Sequence, residues 1–168
     1  MGLINELNDS MKEGQPLFVS RLVQPSFGWD TCMGYLSQCV DDDLGGPVSK
    51  MNYKLPLADD IDSINPVKEY LEKNIDYHVI GSSLFLSFST KDNPLYTGAE
   101  DSLIWNVIGQ GAFALVDEEK EDEEYDYRLV NPGDIIFIPK GVHYKFKPES
   151  ARAFVLFSLH TKEEEGVN

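Results

Sequence analysis

The histidine best placed for chemistry lies in a segment with two tight turns. Residues 132–147 read Pro-Gly-Asp, Ile-Ile-Phe-Ile, Pro-Lys-Gly and then Val-His-Tyr-Lys-Phe-Lys. Gly133 permits a positive φ in the first turn, and Pro139 ends the intervening strand because it has no N–H for the sheet ladder. The second turn then delivers His143 to one end of the β-structure, where small barrels hold ligands. The segment predicts an imidazole that faces a ligand cavity, as a metal ligand or a hydrogen-bonding group.

Further oxygen donors lie in the longest polar connection, residues 91–101, which reads Lys-Asp-Asn-Pro-Leu-Tyr-Thr-Gly-Ala-Glu-Asp. Tyr96 could coordinate a metal only if the pKa of its phenol fell far below its usual value of about 10. Three carboxylates near the predicted mouth could complete an irregular metal site with His143: Asp92, Glu100 and Asp101.

The other histidines and the cysteines favour structural roles. His78 and His160 lie inside predicted strands among apolar neighbours, so we expect core or surface residues rather than ligands. Cys32 and Cys39 are seven residues apart, a spacing that predicts two buried, reduced thiols. Because the chain has no Cys-x-x-Cys pair, a structural zinc site is not expected.

Four side chains are candidates for the lining of the cavity, in addition to Tyr96. Lys140 lies next to the predicted mouth, where it could attract an anionic ligand or serve as an ordinary exposed turn residue. Aromatic residues in a small barrel either line a cavity or fill the core. Both roles, cavity lining and core, are possible for three aromatic residues: Trp105, Phe113 and Tyr144.

Length and composition fit one globular domain. The chain has 168 residues with 42% hydrophobic residues, and 14 basic against 29 acidic residues give a net charge of −15. This charge excludes nucleic acid and anionic membranes as partners, because both would repel the chain at long range. No stretch approaches the eighteen or so apolar residues that a membrane span needs, and the N-terminus has no apolar signal core. The expected location is the cytoplasm.

The elements that must position these residues are mostly short strands. Eight segments rich in aromatic and branched residues are separated by turn chemistry, which predicts an antiparallel sandwich or barrel. The acidic run 117–124 is expected to be a solvated loop. The predicted strands are 76–80, 83–90, 102–109, 111–116, 124–130, 134–138, 142–147 and 152–160.

The first 75 residues have a different pattern and are expected to cap the barrel of residues 76–162, ahead of an acidic tail, 163–168. Residues 3–12 carry an apolar stripe at helical spacing, and a second helical pattern covers residues 30–40. Asn65 followed by proline predicts the N-cap of a third helix. Residues 17–19 and 50–57 are expected to be extended. The prediction is one structural domain.

The turn–strand–turn segment resembles the second motif of the cupin superfamily, Gly-x5-Pro-x-Gly-x-x-His, whose histidine binds a metal. Gly133, Pro139 and Gly141 match the motif, but only one residue separates Gly141 from His143, where the family has two. The resemblance implies a double-stranded β-helix, the jelly-roll barrel of the cupins, with His143 at the metal. Because a shift of one residue in a strand reverses the face, the direction of His143 depends on this spacing.

Residues 83–88 and the block 101–109 extend the likeness to the JmjC branch of the cupins, which includes ribosomal oxygenases and asparaginyl hydroxylases. In that branch a His-x-Asp pair begins thirteen residues before a glycine that Gly109 matches here. The corresponding positions hold Tyr96 and Gly98, and the lysine that pairs with 2-oxoglutarate in relatives is replaced by Gly111. The first motif is therefore degenerate.

Two functions follow from this resemblance. The first is a JmjC-like domain that has lost its iron and 2-oxoglutarate machinery and binds a small molecule or a protein. The alternative is an active oxygenase with Fe(II) and 2-oxoglutarate as cofactors, whose site combines His143 with Asp101 or Glu100. In that case Lys140 or Lys145 would face the co-substrate's carboxylates. Relatives commonly form homodimers through a sheet edge or the N-terminal helices, so a homodimer is also expected.

Overall fold

A computed structural model describes residues 2–42, 46–49, 52–57, 61–88, 95–97, 100–116 and 125–162. The helices are α1 (Gly2–Glu13), α2 (Trp29–Asp41) and α3 (Asn65–Asn74). The strands are β1 (Leu17–Val19), β2 (Gly46–Ser49), β3 (Asn52–Leu57), β4 (Tyr77–Ser87), β5 (Leu95–Thr97), β6 (Asp101–Ile108), β7 (Gly111–Val116), β8 (Arg128–Val130), β9 (Ile135–Ile138), β10 (His143–Pro148) and β11 (Arg152–Thr161). Asp92, Gly98, the acidic run 117–124 and the tail 163–168 lie outside the described residues.

The strands form two antiparallel sheets. The large sheet has the order β1-β9-β6-β11-β4-β3-β2, and the small sheet has the order β5-β10-β7-β8. From β4 to β11 the chain passes back and forth between the sheets in the manner of a double-stranded β-helix, except that β7 and β8 form a hairpin within the small sheet. The helices lie at the N-terminal end of the chain. The prediction of a mainly β, cupin-type fold with an N-terminal helical cap is confirmed.

The large sheet is buried on both faces, so the protein has two hydrophobic cores. One core lies between the large sheet and the helices, and we call it the helix-side core. It includes Leu7 of α1, Leu71 of α3, and Trp105 and Phe137 of the sheet. The second lies between the two sheets, and we call it the inter-sheet core. Its buried members are Ile104, Phe113, Val130, Ile136, Ile138, Tyr144, Phe146 and Phe154.

The strand predictions differ from the structure at several places. Strand β8 covers only Arg128–Val130 of the predicted 124–130, and β2 (Gly46–Ser49) was not predicted. Segments 76–80 and 83–90 form one strand, β4, because Gly81 stays in the ladder and a bulge opposite Ser158 and Leu159 absorbs the irregularity. Strand β5 lies within the polar connection 91–101, where no strand was predicted. Its three residues pair with β10, a contact across more than forty residues that local sequence does not reveal.

The N-terminal region contributes strands to the large sheet as well as the helices that cover it. Strands β1 and β3 pair with β9 and β4 of the barrel, so the predicted cap (residues 1–75) and barrel share one sheet. Asn65 is the first residue of α3 and Ile64 is its N-cap, one residue before the predicted position. No helix in the described part of the chain is long and apolar enough to cross a membrane.

The Pro-Gly-Asp turn anchors the N-terminal region to the barrel. Gly133 has a φ of +98°, which favours glycine. The buried carboxylate of Asp134 accepts hydrogen bonds from the backbone N–H groups of Arg21 (2.9 Å) and Asn131 (2.8 Å). The N–H of Val23 donates to the carbonyl of Gly133. These bonds fix the segment that follows β1 against the turn before β9, so that β1 lies at the edge of the large sheet.

Both cysteines are buried on α2, as predicted, and they should be unreactive in the folded protein. Burial raises the pKa of the Cys32 thiol from 9.0 to about 11. We expect alkylation of both thiols by iodoacetamide at pH 8 to be at least about tenfold slower in the native protein than in guanidinium chloride. Mass spectrometry measures this, and rapid labelling of the native protein would contradict the burial.

The same shift predicts a pH dependence of stability. Because the pKa of Cys32 is higher in the folded than in the unfolded protein, its contribution to the free energy of unfolding is complete below pH 9. It is lost as the pH rises from about 9 to 11. Denaturant unfolding of the wild type and of Cys32→Ala across this pH range measures the loss. The part of the pH dependence that is due to Cys32 should be absent from the variant.

Candidate functional site

His143 lies on the outer face of the small sheet. Along β10, Tyr144 and Phe146 are buried in the inter-sheet core, while His143 and Lys147 are exposed. Side chains alternate between faces along a strand, so the imidazole and the Tyr144 ring project from opposite faces. The prediction that His143 points into the hollow of the barrel is therefore wrong.

The spacing of the second motif explains this orientation. With a single residue between Gly141 and His143, the position that the motif assigns to its histidine is occupied by Tyr144. The strand pairs Tyr144 with Leu115 of β7 and Tyr96 of β5. An alternation of polar and aromatic residues over His-Tyr-Lys-Phe-Lys is the sequence signal that could have predicted Tyr144 inside and His143 outside.

Two of the three predicted carboxylate ligands, Glu100 and Asp101, are described, and each contacts a group other than His143. Asp101 accepts a hydrogen bond from the backbone N–H of Lys140 at 2.8 Å, so it holds the turn between β9 and β10. The carboxylate of Glu100 lies 3.0 Å from Nε2 of His160. Lys140 is exposed. For Tyr96 the structure describes only the backbone, in β5.

Two further histidines face each other across β4 and β11. His78 pairs with His160 in the ladder, and Nδ1 of His78 lies 3.7 Å from Glu72. Both imidazoles are partly or largely exposed, in agreement with the predicted surface role. Among the described side chains, no group of three or more histidine, cysteine, aspartate or glutamate residues is arranged to hold a metal ion.

Aromatic rings fill the space between the two sheets. Phe85 and Phe154 stack with ring centroids 4.8 Å apart, and Phe154 stacks on Phe146 at 5.4 Å. Phe113 continues the cluster, at 5.4 Å from Phe146 and 5.6 Å from Tyr144. Phe113 and Tyr144 are both at most 6% exposed. In the cupin superfamily, which the second motif resembles, the space between the sheets holds a metal. In this chain the same space is filled by an aromatic core.

Trp105 does not line the predicted cavity. It projects from β6 into the helix-side core, where its side chain is fully buried and lies edge-on to Phe27. Its indole Nε1–H donates a hydrogen bond of 2.8 Å to the carbonyl of Val23. Trp105 therefore fixes the N-terminal region to the large sheet, and of the two roles considered for it the structure shows the core role.

A cleft opens where the two sheets part, between β1 at one edge of the large sheet and β8 at one edge of the small sheet. Its volume is about 580 Å³, within the range of roughly 300–1,000 Å³ typical of small-molecule sites. Phe113 and Ile136 of the inter-sheet core form part of its wall. The full lining is Pro16, Leu17, Phe18, Phe113, Leu115, Asp126, Tyr127, Arg128 and Ile136.

Charged and aromatic groups meet at this cleft. The guanidinium carbon of Arg128 lies 4.2 Å from the centroid of the Phe18 ring, a cation–π contact that joins the two sides. Asp126 is exposed, and Tyr127 next to it is half-buried. The sequence alone does not single out Arg128 or Phe18, because 110 positions separate them and only the fold brings them together.

The fold resembles that of the ribosomal oxygenase YcfD from Escherichia coli. Its structure with cobalt and succinic acid matches with a TM-score of 0.66 at 13% identity, covering 91% of this chain and 51% of that one. Its structure with cobalt and 2-oxoglutarate gives a TM-score of 0.66 at 12% identity, with coverage of 91% and 51%. An RmlC-like cupin from Shewanella frigidimarina matches with a TM-score of 0.46 at 8% identity, covering 72% of this chain and 86% of that one.

No protein-family model and no curated protein matches this sequence. The chain spans about half the length of the YcfD chains that it matches. At identities of 12% and 13%, the likeness to YcfD shows a common fold. Function must be argued from the site itself.

Proposed function

We propose that this chain is a binding module on a JmjC-like cupin fold, and that a small molecule binds in the cleft between β1 and β8. One observation carries the proposal: the inward position of the second motif holds Tyr144, which packs on Phe113 in a closed aromatic core. The cleft beside this core offers an open volume of about 580 Å³.

The residues at the expected metal position do not fit Fe(II). Non-haem iron oxygenases hold the metal with two histidines and one carboxylate and leave positions open for co-substrate and oxygen. Here the imidazole of His143 is directed to the outer face, and Asp101 is engaged with the turn at Lys140. At the two first-motif positions, where relatives have histidine and aspartate, Tyr96 carries a phenol and Gly98 has only a hydrogen. Phenylalanine rings beside Tyr144 offer no donor atom.

The competing proposal is an oxygenase with a non-standard site built on His143. It would need His143 and a carboxylate to bind one metal ion on the same face of the sheet. Glu100 instead lies beside His160, on the large sheet, whereas His143 belongs to the small sheet. The geometry therefore favours the binding module over iron and 2-oxoglutarate chemistry.

Blocking the cleft tests the proposed function. We expect a library of small aromatic and polar compounds, screened by ¹⁵N–¹H NMR, to shift amide resonances at Phe18, Phe113 and Leu115. In Leu115→Arg, which fills the cleft wall, these shifts should be lost, because a charged side chain would occupy the site. Leu129→Arg is the matched control: Leu129 is exposed on β8 and does not line the cleft, so binding should persist.

The outcome that contradicts the proposal is equally specific. The proposal would be contradicted if the wild-type protein bound one equivalent of Fe(II) under anaerobic conditions in the presence of 2-oxoglutarate, and if His143→Ala abolished this binding. Such a result would restore the oxygenase. We expect instead that neither protein binds iron stoichiometrically and that both give the same NMR shifts with cleft ligands.

Other aspects stay predictions from the sequence. A small molecule is the partner that the cleft favours, while a protein partner and a homodimer are supported only by the resemblance. The exclusion of nucleic acid and anionic membranes rests on the net charge of −15. The cytoplasmic location and the division into a cap of residues 1–75 and a barrel of residues 76–162 stay predictions from sequence pattern.

A further inference from the structure

We infer that the cleft ligand is a flat, apolar molecule with a carboxylate, and that Arg128 is the residue that recognises the anion. This inference rests on the proposed binding function and specifies its ligand class. It combines three features of the cleft: an oriented guanidinium, an aromatic and aliphatic wall, and one carboxylate at the edge.

The guanidinium of Arg128 is held in place by the Phe18 ring. A guanidinium that lies over an aromatic face keeps its planar set of N–H donors available for a carboxylate, which it can bind through two parallel hydrogen bonds. Arg128 is exposed, and no carboxylate among the described residues forms an ion pair with it. Its positive charge is therefore neutralised by no described side chain.

The wall of the cleft selects for an apolar body. Phe113 and Ile136 of the inter-sheet core line the cleft but are only 6% and 1% exposed. The apolar surface open to a ligand therefore comes mainly from the half-buried side chains of Leu17 and Phe18. Leu115 is 38% exposed and extends this wall toward solvent. A flat ring system that covers these side chains would bury apolar surface, at a gain of roughly 25 cal/mol per Å².

The charges around the cleft favour an anion over a cation only at short range from Arg128. Of the described residues that line it, Arg128 is the cation and Asp126 is the carboxylate. With a net charge of −15, the chain as a whole repels anions, so selection depends on short-range contact with Arg128. The affinity for an anion should therefore respond in opposite directions to substitutions at Arg128 and Asp126. Removing the charge of Arg128 weakens anion binding, and removing the charge of Asp126 strengthens it.

Two probes with one ring system and different charge test the inference: 2-naphthoate and its neutral amide, 2-naphthamide. We expect wild-type protein to bind 2-naphthoate about tenfold more tightly than 2-naphthamide, since charge-assisted hydrogen bonds exceed neutral ones. In Arg128→Gln this ratio should fall to about one, and in Arg128→Lys it should be intermediate. Dissociation constants come from NMR titration of the full chain.

Two further variants serve as matched controls. Asp126→Asn should raise the affinity for 2-naphthoate two- to threefold, on the order expected for one neighbouring charge, without changing that for 2-naphthamide. Lys140→Gln removes an exposed cation outside the cleft and should leave both affinities unchanged.

The possible outcomes separate this inference from the proposed function. Equal binding of both probes at Phe18, Phe113 and Leu115 would overturn the role of Arg128 and leave the binding module intact. A naphthoate preference that Lys140→Gln abolishes and Arg128→Gln preserves would also overturn it. Failure of both probes to bind would overturn the ligand class. The proposed function would fall with it only if the compound library also gave no shifts in the cleft.

Discussion

Replacing Gly109 with alanine is expected to lower the free energy of unfolding by about 3 kcal/mol. Gly109 has a φ of +81°, in the left-handed region that side chains with a Cβ adopt at a cost. A Cβ atom there would also collide with the carbonyl oxygen of Ala151 and approach Oγ of Ser150 to 2.9 Å. Urea unfolding followed by tryptophan fluorescence measures the loss.

Gly141 provides a matched control for this prediction. It has the same φ of +81°, but no atom lies within 4 Å of the position that a Cβ would occupy. Gly141→Ala should therefore cost only the backbone strain, about 1 kcal/mol. Equal losses for the two variants would contradict the close approach between Gly109 and the residues that precede β11.

Replacing Phe154 with alanine is expected to cost about 4 kcal/mol, the second large effect. Phe154 is buried at the centre of the inter-sheet core, stacked between Phe85 at 4.8 Å and Phe146 at 5.4 Å. Truncation removes apolar contact on both faces of the ring and leaves a cavity that two sheets cannot close. The same unfolding experiment measures this change, with circular dichroism to check that the fold is retained.

Two variants bracket the result. Phe154→Leu keeps most of the volume and should cost about 1 kcal/mol. Leu129→Ala removes a side chain that is 51% exposed and should change stability by less than about 0.5 kcal/mol. A loss below about 1 kcal/mol for Phe154→Ala would mean that the space between the sheets is not packed. In that case the space between the sheets would again be a candidate site for a ligand or a metal.

The Phe154 variants test the feature on which the proposed function depends, which is the packing of aromatic rings between the two sheets. In the family that the sequence resembles, the inter-sheet space holds a metal. In this chain the same space holds rings that stabilise the sandwich, and the open volume lies at the edge beside Arg128 and Phe18. We therefore expect variants of the core to change stability and variants of the cleft to change ligand binding.

The sequence predicted most strands because their signals are local. Short apolar segments between turn residues gave β6, β7, β9, β10 and β11 to within a residue or two. Gly133, where the sequence permits a positive φ, has a φ of +98°, and Pro139 ends β9 as predicted. Strand β5 was missed because three residues in a polar connection carry no such pattern. Its existence depends on pairing with β10.

The candidate site was predicted only in part. Tyr144 was named as a cavity residue and faces the interior, but it is packed in the core. His143 was assigned to the wrong face, although the alternation of residues 143–147 contained the information. Trp105 could not be assigned to one of two cores from β6 alone. Of the residues at positions 101–108, six in succession are buried, so burial follows no period of two.

The sequence by itself determined the fold class, the turns and the acidic character of the protein, because each depends on residue types within a short window. Tertiary structure alone decided the face of each strand that is covered and the location of the cleft. The wall of that cleft joins residues 16–18 to residues 126–128. Such a contact forms only when β1 and β8 take their places at the edges of two different sheets. No local pattern encodes it.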